Sequence, residues 1–365
     1  MTLTFLDLAP AQQDLLESLA PDSNHLVSGQ PGTGKSVLAM HRAALLDLMG
    51  HSTVLLARSN LLRQQLAADA VAVGSSVPVL TFHRWVINWY QRATGTAPGR
   101  TEDGLFDWLE LMSAAMSVGL GQLEQLVVDE GQDLPQQFYQ LCRVLGIRMT
   151  VFADEQQRIT DTQSTLAEIE KAMGSTTRHE ITVNQRNSRP VAVLAGHFHV
   201  DGDPPLLPDR DGPVPQLLRH TGGRQPLAGW LSAYATAYPR RSIGVILRHT
   251  RAQTELFAEV SRPPHDLQAQ MYIGNAPEGP YRTLTPGKKG ISIINRASVK
   301  GLEFDTVIVP DTHIDSGDPT AAELRMLYYV MTTRARQELY FCYSGDREPP
   351  ILADVPARML RRSMM

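Results

Sequence analysis

The sequence predicts an α/β fold built from two parallel sheets, one in each half of the chain. Strand-like apolar runs alternate with helical apolar stripes through both halves of the 365 residues. A complete phosphate-binding loop stands between the first strand and the helix after it. A later apolar strand ends in two adjacent carboxylates, which are the groups that a magnesium nucleotide needs beside such a loop.

The first half supplies the strands of one predicted sheet. A short strand at 25–28 leads into the glycine-rich loop, and residues 36–48 carry apolar side chains on one helical face. Further strands are predicted at 53–57, 77–82, 123–128, 149–153 and 180–183. Alternation of this kind is typical of parallel strands joined by crossover helices.

The second half repeats the alternation without a phosphate loop. Its predicted helices are 188–199, 252–260 and 321–331, and its strands are 242–247, 291–294, 305–309 and 338–343. A hinge is expected near Asn184. We therefore predict domains at 1–183 and 184–345, small inserts at about 85–122 and 263–290, and a C-terminal tail at 346–365.

Composition limits the classes of protein to which the chain can belong. The net charge is −4, so a nucleic-acid site must be a local groove rather than a property of the whole surface. No run approaches the ~18 apolar residues of a membrane span, and the N-terminus lacks the basic region of a signal peptide. We expect a cytoplasmic protein without a membrane partner. Its two cysteines, Cys142 and Cys342, favour buried thiols over a disulfide framework.

The glycine-rich segment at 29–36 reads Gly-Gln-Pro-Gly-Thr-Gly-Lys-Ser. Its backbone N–H groups and the N-terminus of the next helix attract phosphate, Lys35 is expected to reach the β- and γ-phosphates, and Ser36 to bind Mg²⁺. The residues predicted to hold the nucleotide here are Gly29, Gly32, Thr33, Gly34, Lys35 and Ser36.

The segment at 126–133 reads Leu-Val-Val-Asp-Glu-Gly-Gln-Asp. Asp129 ends the strand, where it can hold Mg²⁺ through water, and Glu130 can act as general base for the attacking water or orient it. Together with the loop, this segment predicts an enzyme that hydrolyses a nucleoside triphosphate.

The Asp-Glu-Gly-Gln-Asp run at 129–133 resembles the second motif of superfamily 1 helicases of the UvrD/PcrA/Rep type. Segments that resemble the other motifs follow in the family's order from about Leu8 to Gly345. The resemblance implies two RecA-like P-loop-type domains with the nucleotide cleft between them, and ATP with Mg²⁺ as cofactors. It also implies single-stranded nucleic acid as partner, with DNA favoured over RNA.

The resemblance assigns further nucleotide ligands. Gln12 takes the place of the glutamine that reads the adenine edge, and Gln157 that of the glutamine linking the γ-phosphate to the strand. Asn-Gln-Arg-Asn-Ser at 184–188 makes Arg186 a γ-phosphate ligand. Ser-Val-Lys-Gly-Leu-Glu-Phe at 298–304 and Thr-Thr-Arg-Ala at 332–335 add the residues Gly301, Glu303 and, as arginine finger, Arg334.

Nucleic-acid contacts are implied at the ends of three strands, by the residues Ser59, Asn60, Thr81, His83 and Arg248. Alternatives stay open for three residues. Arg248 suits an ordinary surface or helix-capping arginine equally well, and His83 suits a core histidine. Glu303 suits either the ribose or a nearby basic side chain.

The implied function is an ATP-dependent translocase or helicase on single strands, with 3′ to 5′ polarity. The chain departs from the family in having Gln185 instead of a stacking tyrosine, no aromatics at 158–162, and only short inserts. An alternative function is an ATP-gated regulatory subunit that acts with a separate effector such as a nuclease. A small-molecule kinase would leave Arg186, the 300–304 segment and Arg334 unexplained.

Overall fold

The computed structural model describes residues 4–118, 124–154, 164–182, 184, 186–200, 206–265, 267–274, 276, 279–285 and 289–365. These residues divide into two compact units. The first consists of Met1–Gln30 with Gly34–Thr182, and the second of Pro31–Thr33 with Val183–Met365. Among the described residues, no helix is both long and apolar enough to cross a membrane.

The first unit alternates strands and helices. Its strands are β1 (Asn24–Gly29), β2 (Thr53–Ala57), β3 (Val79–Thr81), β4 (Gln125–Val128), β5 (Met149–Ala153) and β6 (Thr176–Ile181). Its helices are α1 (Pro10–Ser18), α2 (Lys35–Leu48), α3 (Asn60–Ala72), α4 (Phe82–Thr94), α5 (Trp108–Val118), α6 (Gln136–Val144) and α7 (Leu166–Met173).

The described strands of the first unit form one parallel sheet in the order β3-β2-β4-β5-β1-β6. The central strands are apolar along their length because helices cover both faces of the sheet. One core packs α4 to α7 against the sheet, and the other packs α1 to α3 against its opposite face. All loops that follow the strands therefore leave from one edge, where ligands bind in such folds.

The second unit has its own sheet. Its strands are β7 (Gln216–His220), β8 (Ser242–Leu247), β9 (Ala269–Tyr272), β10 (Gly290–Asn295), β11 (Phe304–Val309), β12 (Ala335–Ser344) and β13 (Arg361–Met364). Its helices are α8 (Arg189–Phe198), α9 (Arg224–Ala237), α10 (Thr250–Val260), α11 (Ala322–Thr332) and α12 (Pro350–Ala353). The described strands pair in parallel in the order β13-β7-β12-β11-β8-β10-β9.

The predicted α/β class with two parallel sheets is thus confirmed. Several element bounds differ from those predicted. The strand predicted at 180–183 lies earlier, at Thr176–Ile181, and the one predicted at 77–82 ends at Thr81 because Phe82 begins α4. Helices α4 and α5 occupy much of the range given for the first insert.

Two segments expected to lie outside the second sheet belong to it. Residues 263–290, expected to form a hairpin or loop, contain β9, which pairs in parallel with β10. Residues 346–365, expected to form a tail, contain α12 and the edge strand β13, which pairs with β7. The exposed side chains of β13 carry no apolar alternation, so its backbone pairing is not visible in the sequence pattern.

Candidate functional site

The phosphate loop joins β1 to α2 and uses glycines where the backbone needs them. Gly32 and Gly34 both have φ of +89°, and Gly34 caps the N-terminus of α2. A Cβ at Gly34 would lie 2.8 Å from Nε2 of Gln12. Gln12 is itself fixed, because its Oε1 accepts a hydrogen bond from Ala9 N–H at 3.1 Å. The structure therefore brings the glutamine predicted to read adenine against the loop predicted to hold phosphate.

Lys35 lies buried at the start of α2. Its ammonium donates to the carbonyls of Gly29 and Gln30, the latter at 3.0 Å, and lies 3.4 Å from Oδ2 of Asp154. The Lys35 side chain is only 6% exposed. A cation so placed within the glycine loop suits binding of phosphate oxygens. Asp154 is not among the residues predicted from the sequence.

Two carboxylates stand side by side where β4 ends. Asp129 is fully buried, and Glu130 is 6% exposed with a left-handed φ of 55°. Burial and, to a smaller extent, the Glu130 charge raise the pKa of Asp129 to about 7, although Ser36 and Lys35 act in the opposite direction. A non-glycine residue at positive φ is strained, and such strain is typical of functional sites.

Glu130 is held by groups on neighbouring elements. Gln132 Nε2 donates to Oε2 of Glu130 at 2.5 Å, and Gln132 Oε1 accepts from Asp154 N–H at 2.9 Å. The Tyr139 hydroxyl, on α6, donates to the carbonyl of Gly131 at 2.5 Å. A Cβ at Gly131 would lie 2.3 Å from Cγ1 of Val151, so only glycine fits. The sequence motif contains Gln132 and Gly131, but nothing in it indicates these contacts.

These residues fit a magnesium nucleotide. Asp129 Oδ2 is buried and has no hydrogen-bond partner among the described residues, and Ser36 interacts with the same carboxyl group. Within the described ranges, no cluster of three or more His, Cys, Asp or Glu side chains suits a metal ion by itself. Mg²⁺ is commonly bound by one or two protein groups together with phosphate oxygens and water. An orphaned acceptor beside a phosphate loop matches that arrangement.

The second unit gathers basic side chains around Glu303, at the amino ends of β11 and β12. Glu303 forms ion pairs with Arg186 and Arg336, the latter at 3.0 Å. Burial would raise the pKa of the Glu303 carboxyl, but Arg186, Arg336 and Arg334 together lower it to about 2. We call these four residues the arginine cluster. The open alternative of a basic partner for Glu303 is thus realised by two arginines.

Arg334 is 1% exposed and folds back onto the end of α11. Its Nε donates to the carbonyl of Val330 at 3.0 Å, and Nη2 donates to Oγ1 of Thr333 at 3.1 Å. Gly301, two positions before Glu303, has φ of 83°, a conformation that favours glycine. Arg334 stands at an element end, as expected, but the structure holds its guanidinium inside the unit.

Backbone contacts bind together the segments that carry the arginine cluster. The Asn187 amide donates to the carbonyls of Thr333 at 3.2 Å and Ala335 at 2.6 Å, which flank Arg334. Ser188 N–H donates to the carbonyl of Arg336 at 2.8 Å. Hydrogen bonds therefore join the segment that follows Arg186 to the segment that contains Arg334 and Arg336.

The residues predicted to contact nucleic acid in the first unit lie at the ends of the adjacent strands β2 and β3. Ser59 caps α3 by accepting from Leu62 N–H, and Thr81 caps α4 by accepting from Arg84 N–H. Asn60 Oδ1 accepts from Nε of Arg63. The structure brings both segments to one edge but uses their oxygens as local acceptors.

His83 and Arg58 also lie at this edge of the sheet. His83 is exposed and contacts the rings of Phe82 and Phe106, so it is not a core histidine. Burial lowers the pKa of His83, and Arg100 and Arg58 lower it further. Arg58 also pairs with Asp133 at 3.3 Å, which connects this edge to the carboxylate segment.

Arg248 follows β8 in the second unit and is 44% exposed. Its Nη1 donates to Ile314 O at 3.1 Å and to Asp315 at 3.2 Å. Buried Asp315 also accepts two bonds from Arg296, at 2.7 and 2.8 Å, and one from Tyr328. Arg248 is therefore fixed at the surface by Asp315 and by the carbonyl of Ile314, the last residue of a short 3-10 helix.

Gln157 and Gln185 lie outside the described residues, as does the 158–162 segment. Gln132, Arg336 and Asp315 were missed by the sequence reasoning. Arg336 was within reach, because it follows Arg334 by two positions and lies at the start of β12, the neighbouring strand that the sequence predicts. Gln132 and Asp315 have no comparable local signal, since their partners come from other strands.

Two family models match the chain. An AAA domain matches residues 12–163, and a UvrD-like helicase C-terminal domain matches residues 291–342. The first match spans the phosphate loop and the carboxylates, and the second spans Glu303 and Arg334.

Two solved structures are similar to the chain at low identity. The C-terminal domain of a possible DNA helicase from Lactobacillus plantarum WCFS1 is 19% identical, with a TM-score of 0.36, and the match covers 48% of this chain and 97% of that one. The helicase of PRRSV is 14% identical, with a TM-score of 0.44, and the match covers 91% of this chain and 55% of that one. No curated protein matches the chain.

Proposed function

We propose that this chain is a UvrD-like helicase of superfamily 1, an ATP-dependent motor that moves along single-stranded nucleic acid. Helicase-family domains imply hydrolysis of a nucleoside triphosphate in general terms. ATP as the nucleotide, Mg²⁺ as the metal, DNA as the strand and 3′ to 5′ as the direction are our proposals.

The observation that carries the proposal is the carboxylate pair at the end of β4. Within the described part of the chain, one buried oxygen of Asp129 has no hydrogen-bond partner, and the carboxylate of Glu130, a residue at positive φ, is bound by Gln132. A protein that only bound nucleotide would have no evident use for a buried base that is so tightly oriented. The pair lies on the strand two places from β1 in the sheet, and the loops after both strands leave from the same edge.

In this proposal, Lys35 binds the β- and γ-phosphates, Ser36 and Asp129 hold Mg²⁺, and Glu130 accepts the proton of the attacking water. When bound, Mg²⁺ neutralises charge on the β- and γ-phosphate oxygens. Gln12 selects the base by hydrogen bonding to the adenine edge. The remaining residues proposed to hold the nucleotide are Gly29, Gly32, Thr33, Gly34 and Gly301.

Three further side chains are proposed to respond to the γ-phosphate. Arg186 and Arg334 stabilise charge on its oxygens, because a planar and permanently charged guanidinium suits that task. Gln157 links the γ-phosphate to the strand. Loss of the γ-phosphate would remove the charge that these arginines bind, and such a change can drive movement.

The strand is proposed to contact Ser59, Asn60, Thr81 and His83 on the first unit and Arg248 on the second. The first four lie at one sheet edge, and Arg248 presents a half-exposed cation. Phosphate contacts of this kind position a strand without reading its sequence.

Steady-state ATP hydrolysis, with and without single-stranded DNA or RNA of matched sequence, tests the proposal. We expect strong stimulation by a strand and its loss in Glu130→Gln, because the amide cannot accept a proton. Glu102→Gln, an exposed carboxyl on the same unit, is the matched control and should behave as wild type. Turnover that is absent, or that ignores the strand while ATP still governs strand binding, would contradict a motor and favour a regulatory subunit.

Direction requires a separate measurement. Streptavidin is attached to one end of a biotinylated single strand, and its ATP-dependent displacement is followed. A 3′ to 5′ motor displaces it from the 5′ end, whereas displacement from the 3′ end alone would reverse the proposed polarity.

A further inference from the structure

Two side chains proposed for different parts of the nucleotide, Arg186 and Glu303, bind each other. Nη2 of Arg186 forms an ion pair with Oε1 of Glu303. The Arg186 side chain is 10% exposed, and its buried Nε has no hydrogen-bond partner among the described residues. Nη2 of this guanidinium is thus bound to a carboxylate, whereas Nε is buried without a hydrogen-bond partner in the described ranges.

Glu303 has a second cationic partner. Nε and Nη2 of Arg336 each lie 3.0 Å from Oε2 of Glu303, and the Arg336 side chain is 36% exposed. Breaking a buried ion pair is destabilising mainly because it leaves one charge unpaired. Since Arg336 stays on Oε2, Arg186 can leave Oε1 without leaving Glu303 unpaired.

We propose that Glu303 is a positioning residue that holds Arg186 in an ionic latch, and that the γ-phosphate of a bound nucleoside triphosphate competes with Glu303 for this guanidinium. The latch is defined as the Arg186–Glu303 ion pair. It rests on the proposed function, in which Arg186 is a γ-phosphate ligand.

Arg186 makes the same kind of contact with Glu303 as with a γ-phosphate. Carboxylate and phosphate oxygens both accept hydrogen bonds from the planar fork of arginine, which remains charged in either state. The net gain from binding the γ-phosphate is therefore the difference between the two contacts. A diphosphate has no group to offer Arg186, so it leaves the latch closed. The latch thus weakens triphosphate binding without affecting diphosphate binding.

Other roles for Glu303 predict different behaviour. A carboxylate that hydrogen-bonds the ribose would contribute equally to the binding of ADP and ATP. A carboxylate that only stabilises the fold would affect both ligands together with the melting temperature. Only the latch predicts that Glu303 affects the binding of ATP and leaves the binding of ADP unchanged.

The first test measures Kd by calorimetry for ADP and for the non-hydrolysable analogue adenylyl imidodiphosphate, both with Mg²⁺. Glu303→Gln keeps the shape of the side chain and removes its charge. We expect the ratio of Kd for ADP to Kd for the analogue to rise roughly three- to tenfold, which is the scale of one charged hydrogen bond. The Kd for the analogue should decrease, and the Kd for ADP should stay the same.

The second test shifts the same ratio in the opposite direction. Arg336→Ala leaves Arg186 as the remaining ion-pair partner of Glu303 among the described residues. The latch then tightens, and the ratio should fall by roughly threefold. Opposite shifts from two neighbouring substitutions are not expected of general structural damage.

Matched controls are Glu323→Gln and Arg251→Ala, which remove exposed charges from the same unit and should leave the ratio unchanged. Melting curves establish that each variant is folded. An equal change for both ligands in Glu303→Gln, or shifts of the same sign in the two test variants, overturns the latch. If wild type binds neither nucleotide, the proposed function itself fails, and that result appears before any variant is compared.

Discussion

The side-chain amide of Gln132 connects Glu130 to Asp154. It donates to the Glu130 carboxylate at 2.5 Å and accepts from Asp154 N–H at 2.9 Å, and it is fully buried. Glu130 follows β4 and Asp154 follows β5, and these strands are neighbours in the sheet. The direction of the Glu130 carboxylate is therefore set by the adjacent strand.

Replacing this amide should impair hydrolysis more than nucleotide binding. In Gln132→Leu the Glu130 carboxylate loses its donor, and we expect kcat to fall roughly ten- to hundredfold while KM for ATP changes less than about threefold. Gln137→Leu, at an exposed position on α6, is the matched control. A loss confined to KM would show that Gln132 acts on binding instead.

Stability should respond to the close approach at Gly131. An added methyl group would lie 2.3 Å from Cγ1 of Val151 and 2.9 Å from the hydroxyl of Tyr139. We expect Gly131→Ala to lower the free energy of unfolding by about 1–3 kcal/mol in urea denaturation. Gly196→Ala, on α8 with no atom within 4 Å of the added carbon, should raise it by about 0.5–1 kcal/mol. Equal effects would show that Gly131 has room to adjust.

The histidine pair of β1 and β6 should make the fold sensitive to acid. His25 Nε2 donates to Ala20 O at 2.8 Å, so its Nδ1 accepts from His179 Nε2 at 3.2 Å. Burial lowers the pKa of both rings, and for His25 the hydrogen bond to Ala20 opposes this shift while Arg42 adds to it. Protonating His25 would place two donors face to face.

The sign follows from proton linkage. A folded-state pKa below the unfolded value means that the unfolded chain binds more protons between the two, so stability falls as pH decreases below about 6.5. We expect the melting temperature of His25→Gln to fall less steeply from pH 7.5 to 5 than that of wild type. His249→Gln, at an exposed position, should retain the wild-type slope. Identical slopes in all three proteins would place the acid sensitivity elsewhere.

Arg248 should contribute to strand affinity as a single phosphate contact. In Arg248→Ala we expect the slope of log affinity against log salt to decrease by about 0.7, as for one contact on a single strand. Fluorescence anisotropy of a labelled oligonucleotide measures this slope. Arg251→Ala, whose side chain is 91% exposed on the adjacent helix, tests whether any nearby cation has the same effect. An unchanged slope in Arg248→Ala would remove this residue from the proposed interface.

Local sequence patterns were sufficient to predict the structure where a single loop or strand determines it. The loop at 29–36 needs glycines at positive φ, and the strand before Asp129 needs continuous apolar residues, so both are visible in a few consecutive positions. The two-sheet fold followed from repeating these local patterns along both halves.

The missed features depend on which strands are neighbours. Arg336 meets Glu303 because β11 and β12 pair in parallel, which places the amino ends of the two strands side by side. Gln132 meets Asp154 through the pairing of β4 and β5. Strand β13 joins the sheet by pairing in parallel with β7, and all four of its side chains are exposed. Sheet order is a property of the whole fold, so no short segment indicates these partners.

At most positions one amino acid suits both the backbone conformation and the function. The positive φ of Glu130 separates these two requirements. Glycine or asparagine would adopt this conformation readily, whereas glutamate at φ of 55° costs about 1–2 kcal/mol. The backbone and the chemistry therefore prefer different amino acids at position 130. Random substitution selected only for a more stable fold should favour glycine here, and the proteins recovered would keep their architecture while losing the carboxylate.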